Sequence, residues 1–283
     1  KVELVASEPL IADPVYFDWS SDGRLWVAEM GDYPMGIDGK GGSGGKVRTL
    51  RDADGDGIYD ESVTFLEGLN FPNGLFPWGK GMLVSAAPDI IYAEDRNGDG
   101  KADFTEVWFT GFREGNQQHR VNGFSYGLDH WLYGANGDSG GVIRSPGRDL
   151  EVNIGGRDFR LDPRTRAFEA IEGQTQFGRH RDDWGNWFGN NNPNWLWHYW
   201  FPERYLSHNP DLALGSNKKY LGRDDPYVYG KGKGLQRFND VGHRNHVTSG
   251  NSPTPYRDRL FEGDYRESVF VSEPVHNVIH REV

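Results

Sequence analysis

The stretch at 13–27, DPVYFDWSSDGRLWV, returns twice in looser form, as NFPNGLFPWGKGMLV at 70–84 and as HRVNGFSYGLDHWLY at 119–133. Each copy passes through a tight turn into a short apolar strand, RLWVAE (24–29), GMLVSA (81–86) or WLYGAN (131–136), and SVFVSE (268–273) is a fourth strand of the same kind. Alternation with period two over such lengths is the mark of a β-strand, and no part of the chain keeps a helical stripe of period 3.6. The copies recur at about 50 residues, the length of a four-stranded propeller blade. A β-sandwich also has short strands and turns, but it gives no reason for similar phrases at blade intervals. The chain is therefore expected to be all-β, a six-bladed β-propeller, with residues 1–283 forming a single domain. Four or five blades are legible before the chain stops at HREV, so more of the propeller is expected beyond Val283.

From the blade strands the reading extends to the loops between them. DRNGDGKADFTE puts Asp95, Asn97, Asp99, Asp103 and Glu106 at positions 1, 3, 5, 9 and 12 of a calcium loop, with Gly100 at the turn position. DADGDGIYD repeats the scheme with Asp52, Asp54, Asp56 and Asp60, but Val63 stands where the closing acid belongs. Hard cations take six to eight oxygens, which such alternating carboxylates and amides supply. Strand-like segments flank both loops (KVRTLR and SVTFL; DIIYAE and FTEVWF), so calcium-clamped hairpins are expected rather than a helical sensor pair. The competing account, solvated acidic turns, applies more readily to the loop at Asp52.

Composition narrows the partners. A net charge of −11 lacks the clustered Lys and Arg that nucleic acid or an anionic membrane requires. No run approaches the roughly 18 to 20 apolar residues of a transmembrane helix. The strand-like start at Lys1 is that expected of a mature chain, and a secreted or periplasmic location follows from the dependence on calcium. With no Cys there is no disulfide and no CxxCH attachment of haem within these residues.

A candidate catalytic pair lies in the third copy. His119 ends a polar, glycine-flanked loop, and Asp138 sits in a Gly-Asp-Ser-Gly turn just past WLYGAN. A carboxylate that orients an imidazole makes it a better base. On spacing alone, His119 reads more readily as a hydrogen-bonded loop residue and Asp138 as a turn former.

The run HRVNGFSYGLDHWLYGANGDSGG (119–141) resembles the corresponding segment of the soluble quinoprotein glucose dehydrogenases and their sorbosone-dehydrogenase relatives. Over essentially its whole length the chain is more similar still to the N-terminal propeller of the membrane-bound-type dehydrogenases of planctomycetes and related bacteria. VELVASEPL, DGRLWVAEMGDYP, AAPDIIYAEDRNGDGKAD, GNQQHRVNG, QTQFGRHRDDWGNWFG and VFVSEPVHNVIHRE carry that likeness. The resemblance implies a dehydrogenase that oxidises a sugar or other alcohol, with pyrroloquinoline quinone as hydride acceptor. It casts His119 as base, Asp138 as its partner, Arg181 or its competitor Arg179 at quinone and substrate, and Asn122 beside the quinone.

Departures from the family are specific. Asn190 and Asn251 stand where many members have Cys, and the helical repeat and haem domain of longer members are absent, so electrons would pass to an external cytochrome or a fused acceptor. Two other functions stay open: a non-catalytic carbohydrate- or protein-binding propeller, and a calcium-dependent lactonase or other hydrolase.

The region from about 182 to 210, crowded with Asn, Trp and Pro, is expected to be a long inserted loop. Its Trp195, Trp197 and Trp200 are candidates for stacking on sugar rings, or else core. His243, His246, His276 and His280 are read as hydrogen-bonded structural residues rather than metal ligands.

Overall fold

The computed structural model describes residues 3–206, 208–209, 211, 216–222, 227–228, 245–261 and 263–283. Strands dominate them, and the chain divides into two compact units, residues 1–122 with 139–153, and residues 123–138 with 154–283. His243 lies outside the described residues.

The first unit holds two antiparallel meanders. One runs β1 (Pro14–Trp19), β2 (Leu25–Glu29), β3 (Gly45–Arg51), β4 (Glu61–Leu69). The next runs β5 (Gly74–Trp78), β6 (Gly81–Ala86), β7 (Asp89–Glu94), β8 (Phe104–Phe112), and the hairpin of β11 (Gly141–Arg144) and β12 (Glu151–Asn153) extends it beyond β8. Strands β8 and β11 meet where both carry glycine. A Cβ on Gly111 would stand 2.2 Å from the Val142 carbonyl oxygen, and one on Gly141 2.3 Å from that of Gly111.

Alternation along β2 explains how this unit packs. Trp26 and Ala28 join Val47, Phe65, Leu75, Met82 and Val84 in one buried cluster, while Leu25 and Val27 pack with Leu50 in another. Each large apolar side chain buried in this way contributes about 1.5–3 kcal/mol.

In the second unit, β9 (Asn122–Tyr126), β10 (Leu132–Ala135), β13 (Asp158–Asp162) and β14 (Ala167–Ile171) form one four-stranded sheet. A second is built of β15 (His180–Arg181), β16 (Trp187–Asn191), β17 (Asn194–Tyr199) and β18 (Lys218–Tyr220). The pair β19 (Tyr227–Val228) and β20 (Asn245–His246) follows, then a three-stranded sheet of β21 (Asn251–Pro255), β22 (Val269–Glu273) and β23 (Val278–Glu282).

The protein is thus all-β and built of propeller blades, and the expected six blades become five among the described residues. The expected inserted loop is also corrected. Residues 187–199 form the central hairpin of a blade, in which Trp187, Trp195, Leu196, Trp197 and Tyr199 are all buried.

Buried carboxylates fasten the loops between strands. Glu273, with no exposure, accepts the backbone N–H groups of Ser249 and His276 at 3.0 and 2.6 Å. Asp158 does the same for Asn136 and Thr175 at 3.1 and 2.9 Å. Such charge-assisted bonds fill donors that would otherwise be buried unpaired.

Candidate functional site

The two Asp-rich loops join β3 to β4 and β7 to β8, as expected of hairpin tips, and they are wired alike. In the first, Asp52 accepts the N–H groups of Gly55 and Gly57 through its two oxygens, at 2.7 and 2.9 Å. In the second, Asp95 accepts those of Gly98 and Gly100 at 2.7 and 2.8 Å. Position 3 accepts from position 5 (Asp56 N to Asp54, 3.2 Å; Asp99 N to Asn97, 2.9 Å), and position 5 from position 7 (Ile58 N to Asp56, 2.8 Å; Lys101 N to Asp99, 2.9 Å). Position 9 reaches back to position 2, with Ala53 N donating to Asp60 at 3.0 Å and Arg96 N to Asp103 at 2.9 Å.

This wiring turns carboxylates onto the loop backbone. The N–H groups of Gly57 and Gly100 are the largest influence holding Asp52 and Asp95 below the usual carboxylate range. Oxygens of Asp52, Asp54 and Asp60 lie within 4.8 Å of one another, a donor set that suits a hard cation. Asp56 stands outside that group of three. Glu106, expected to close the second loop, lies on β8, where its Oε2 accepts the indole N–H of Trp108 at 3.2 Å.

The loop carrying His119 belongs to the first unit. Asn116 caps the short 3-10 turn Gln117–His119 by accepting the N–H of Gln118 at 3.0 Å. Gln117 and Gln118 anchor the turn on Pro34 O and the Tyr33 hydroxyl, and the His119 carbonyl accepts from Ser139 Oγ. Half-buried His119 is followed by Arg120, only 6% exposed, whose guanidinium lies 4.6 Å from the centre of the Phe71 ring.

Burial pushes the Arg120 guanidinium down from its ordinary range, opposed by the charges of Glu114 and Asp32. Asp32 is fully buried, and its Oδ2 accepts the Phe71 N–H at 2.9 Å. Its Oδ1, the Nε and Nη1 of Arg120 and the Oγ of Ser85 have no hydrogen-bond partner among the described residues. Sequence reading missed Arg120 and Asp32. The only signal was that each sits beside a residue or motif already singled out: Arg120 next to His119, and Asp32 within DGRLWVAEMGDYP.

The remaining candidates divide between the two units. Asp138, in the second unit, is exposed with φ +68°, and its N–H donates to Asn136 Oδ1 at 2.6 Å, while His119 is part of the first unit. Arg179 is fully buried. Its Nη1 donates to Asp158 and to Glu172 O at 2.9 and 2.6 Å, its Nη2 donates to Glu172 Oε1 at 2.7 Å, and the Tyr199 ring lies 4.3 Å away. Arg181 donates to the carbonyls of Tyr126 and Asp182 at 2.7 and 2.8 Å. Asn122 is fully buried and donates to Arg120 O at 2.8 Å. Arg179 and Asn122 are thus both buried and hydrogen-bonded within the protein.

The aromatic candidates divide. Trp195 is 1% exposed and stacks on His280 at 4.1 Å, and Trp197 is likewise buried, so neither offers a face to a sugar; Trp200 is exposed. His276 Nδ1 and His280 Nε2 each lie 2.8 Å from a carboxylate oxygen, of Glu273 and Glu282 respectively, and the His246 ring packs at 4.6 Å from that of Tyr227. Asn190 is buried and donates to Trp195 O at 3.2 Å.

Fold and loops together define a propeller-blade protein with two matched aspartate hairpins. The chain belongs to the DUF7133 family, a domain of unknown function, whose model matches residues 1–283. It is also similar to a structural genomics protein of unknown function from Bacteroides thetaiotaomicron VPI-5482, at 10% identity and a TM-score of 0.36, over 95% of this chain and 70% of that one. No curated protein matches the chain.

Proposed function

We propose that this protein binds calcium at both aspartate loops and works in a calcium-rich setting, secreted or periplasmic. The observation that carries this reading is the shared wiring of the loops, together with the convergence of Asp52, Asp54 and Asp60 oxygens within 4.8 Å. Carboxylates crowded in this way repel one another, and a divalent cation converts the repulsion into attraction. Bound calcium would cross-link the tips of β3–β4 and β7–β8 and stabilise the native state alone. Calcium titration of the chelator-treated protein by calorimetry tests this: two equivalents are expected, falling to one in Asp52→Ala/Asp54→Ala. Failure to bind in a folded protein excludes the reading.

A second reading, oxidation of a sugar or other alcohol with His119 as general base, draws on the resemblance to quinoprotein dehydrogenases and on one feature of the site. Beside the half-buried His119, Arg120 and Asp32 keep buried polar atoms without partners among the described residues, at a cost that a bound hydroxylated ligand or ordered water would relieve. His119 would take the hydroxyl proton and Arg120 hold an oxygen of the ligand, while the hydride on carbon would pass to the quinone that the resemblance implies. Quinone titration followed by dye reduction over a panel of aldoses distinguishes the outcomes. Activity that collapses in His119→Ala supports this reading, whereas no quinone binding and no turnover reject it.

A further inference from the structure

Trp184 is the most exposed large hydrophobic residue described, at 81%, yet it is firmly placed. It stands at the tip of the turn between β15 and β16, where the Asp182 carboxylate accepts the N–H groups of Trp184 and Asn186 at 2.9 and 2.8 Å and the Asn186 side-chain amide at 2.7 Å. Gly185 takes φ +85°, a conformation that closes the turn at little steric cost. A turn braced in this way has little backbone entropy left to lose when something stacks on its indole.

Trp184 lines two cavities of the second unit, of about 500 and 480 Å³, and so forms the ridge between them. The larger contains charged groups that are already matched. Arg160 bonds Asp129 and Glu169 at 2.8 and 2.6 Å, and Arg157 bonds Glu203 at 2.7 Å. In the smaller, Arg257 bonds Asp183 at 2.6 Å, and Asp258 and Glu267 stand against Arg259 and Arg266 in number, leaving only Asp182 in excess. Paired in this way, the groups leave little uncompensated charge to hold an ion or a phosphate. They still present carboxylate lone pairs and spare guanidinium N–H groups, fixed in direction. The walls are mixed, with Leu128, Tyr133 and Trp187 in the larger cavity and Phe188, Tyr256 and Val269 in the smaller standing among the charged groups, which suits a ligand with both polar and apolar faces. A neutral pyranose supplies what is missing: hydroxyls that both donate and accept, and an apolar C–H face for the indole.

We propose that Trp184 is the stacking platform of a groove for a neutral oligosaccharide, with one sugar unit on each side of the indole. The groove is built of residues of the second unit, whereas the aspartate loops and His119 belong to the first, and the proposal depends on neither proposed function. Calorimetric titration with cello-, xylo-, manno- and laminarihexaose provides the test, using the wild type, Trp184→Ala and Trp184→Phe. At least one hexaose is expected to bind, with affinity falling about tenfold or more in Trp184→Ala and largely kept in Trp184→Phe. An unchanged melting temperature shows that the variants are folded. No binding of any hexaose at millimolar concentration, or equal affinity in Trp184→Ala, overturns the proposal.

Discussion

Nη1 of Arg179 lies 2.9 Å from Oδ2 of Asp158, and neither side chain has any exposure to solvent. Asp158 also receives the N–H groups of Asn136 and Thr175 and the Thr175 hydroxyl, so one carboxylate joins three segments of the second unit. Removing Arg179 strands this charge in a dry interior. Arg179→Met is expected to destabilise the protein by about 3–5 kcal/mol, the usual cost of breaking a buried pair from one side. Urea unfolding measures it, and a loss below about 1 kcal/mol would show that the network contributes little.

Two tryptophans of neighbouring sequence should respond in opposite ways to truncation. Trp195 packs with Leu196, Val228, Val247 and Val271, so Trp195→Ala is expected to cost about 3–5 kcal/mol. Trp184→Ala removes an exposed ring and should change stability by no more than about 0.5 kcal/mol. Thermal melts of the two variants side by side check the contrast.

Burial holds the His180 imidazole down at about 4, so the folded protein keeps it neutral where the unfolded chain protonates it. Its contribution to stability is complete above the unfolded value, about 6.5. It is lost as the pH falls from there towards 4, because the unfolded state then binds the extra proton. Burial lowers His198 as well, which adds a slope of the same sign. Unfolding free energy measured from pH 7 to pH 5 should therefore decline, and His180→Gln should flatten much of the decline. An identical slope in the variant would exclude His180 as its source.

What the sequence made legible was the material written in local patterns. Alternation in RLWVAE and GMLVSA located β2 and β6, and the Asp-x-Asp/Asn-x-Asp-Gly spacing located the tips of the hairpins β3–β4 and β7–β8. The stretch from 182 to 210 misled because Asn and Pro are turn formers by local propensity. Tertiary burial of Trp187, Trp195 and Trp197 overrides that preference and makes a blade. Glu106 fitted a linear motif, but the register of β8 pairs it with Tyr92 and turns its carboxylate to Trp108. The burial of Arg120, Asp32 and Arg179 depends on contacts between segments far apart in the chain, which no short motif records.

The direct test of the matched loops is the thermal melt of the chelator-treated protein before and after calcium addition, with Asp95→Ala and Asp52→Ala/Asp54→Ala as comparisons. Calcium at about 100 times Kd should add about 2.7 kcal/mol per site, and each loop variant should lose one share of that gain. A melting temperature indifferent to calcium in the wild type would contradict the assignment of these loops as calcium sites.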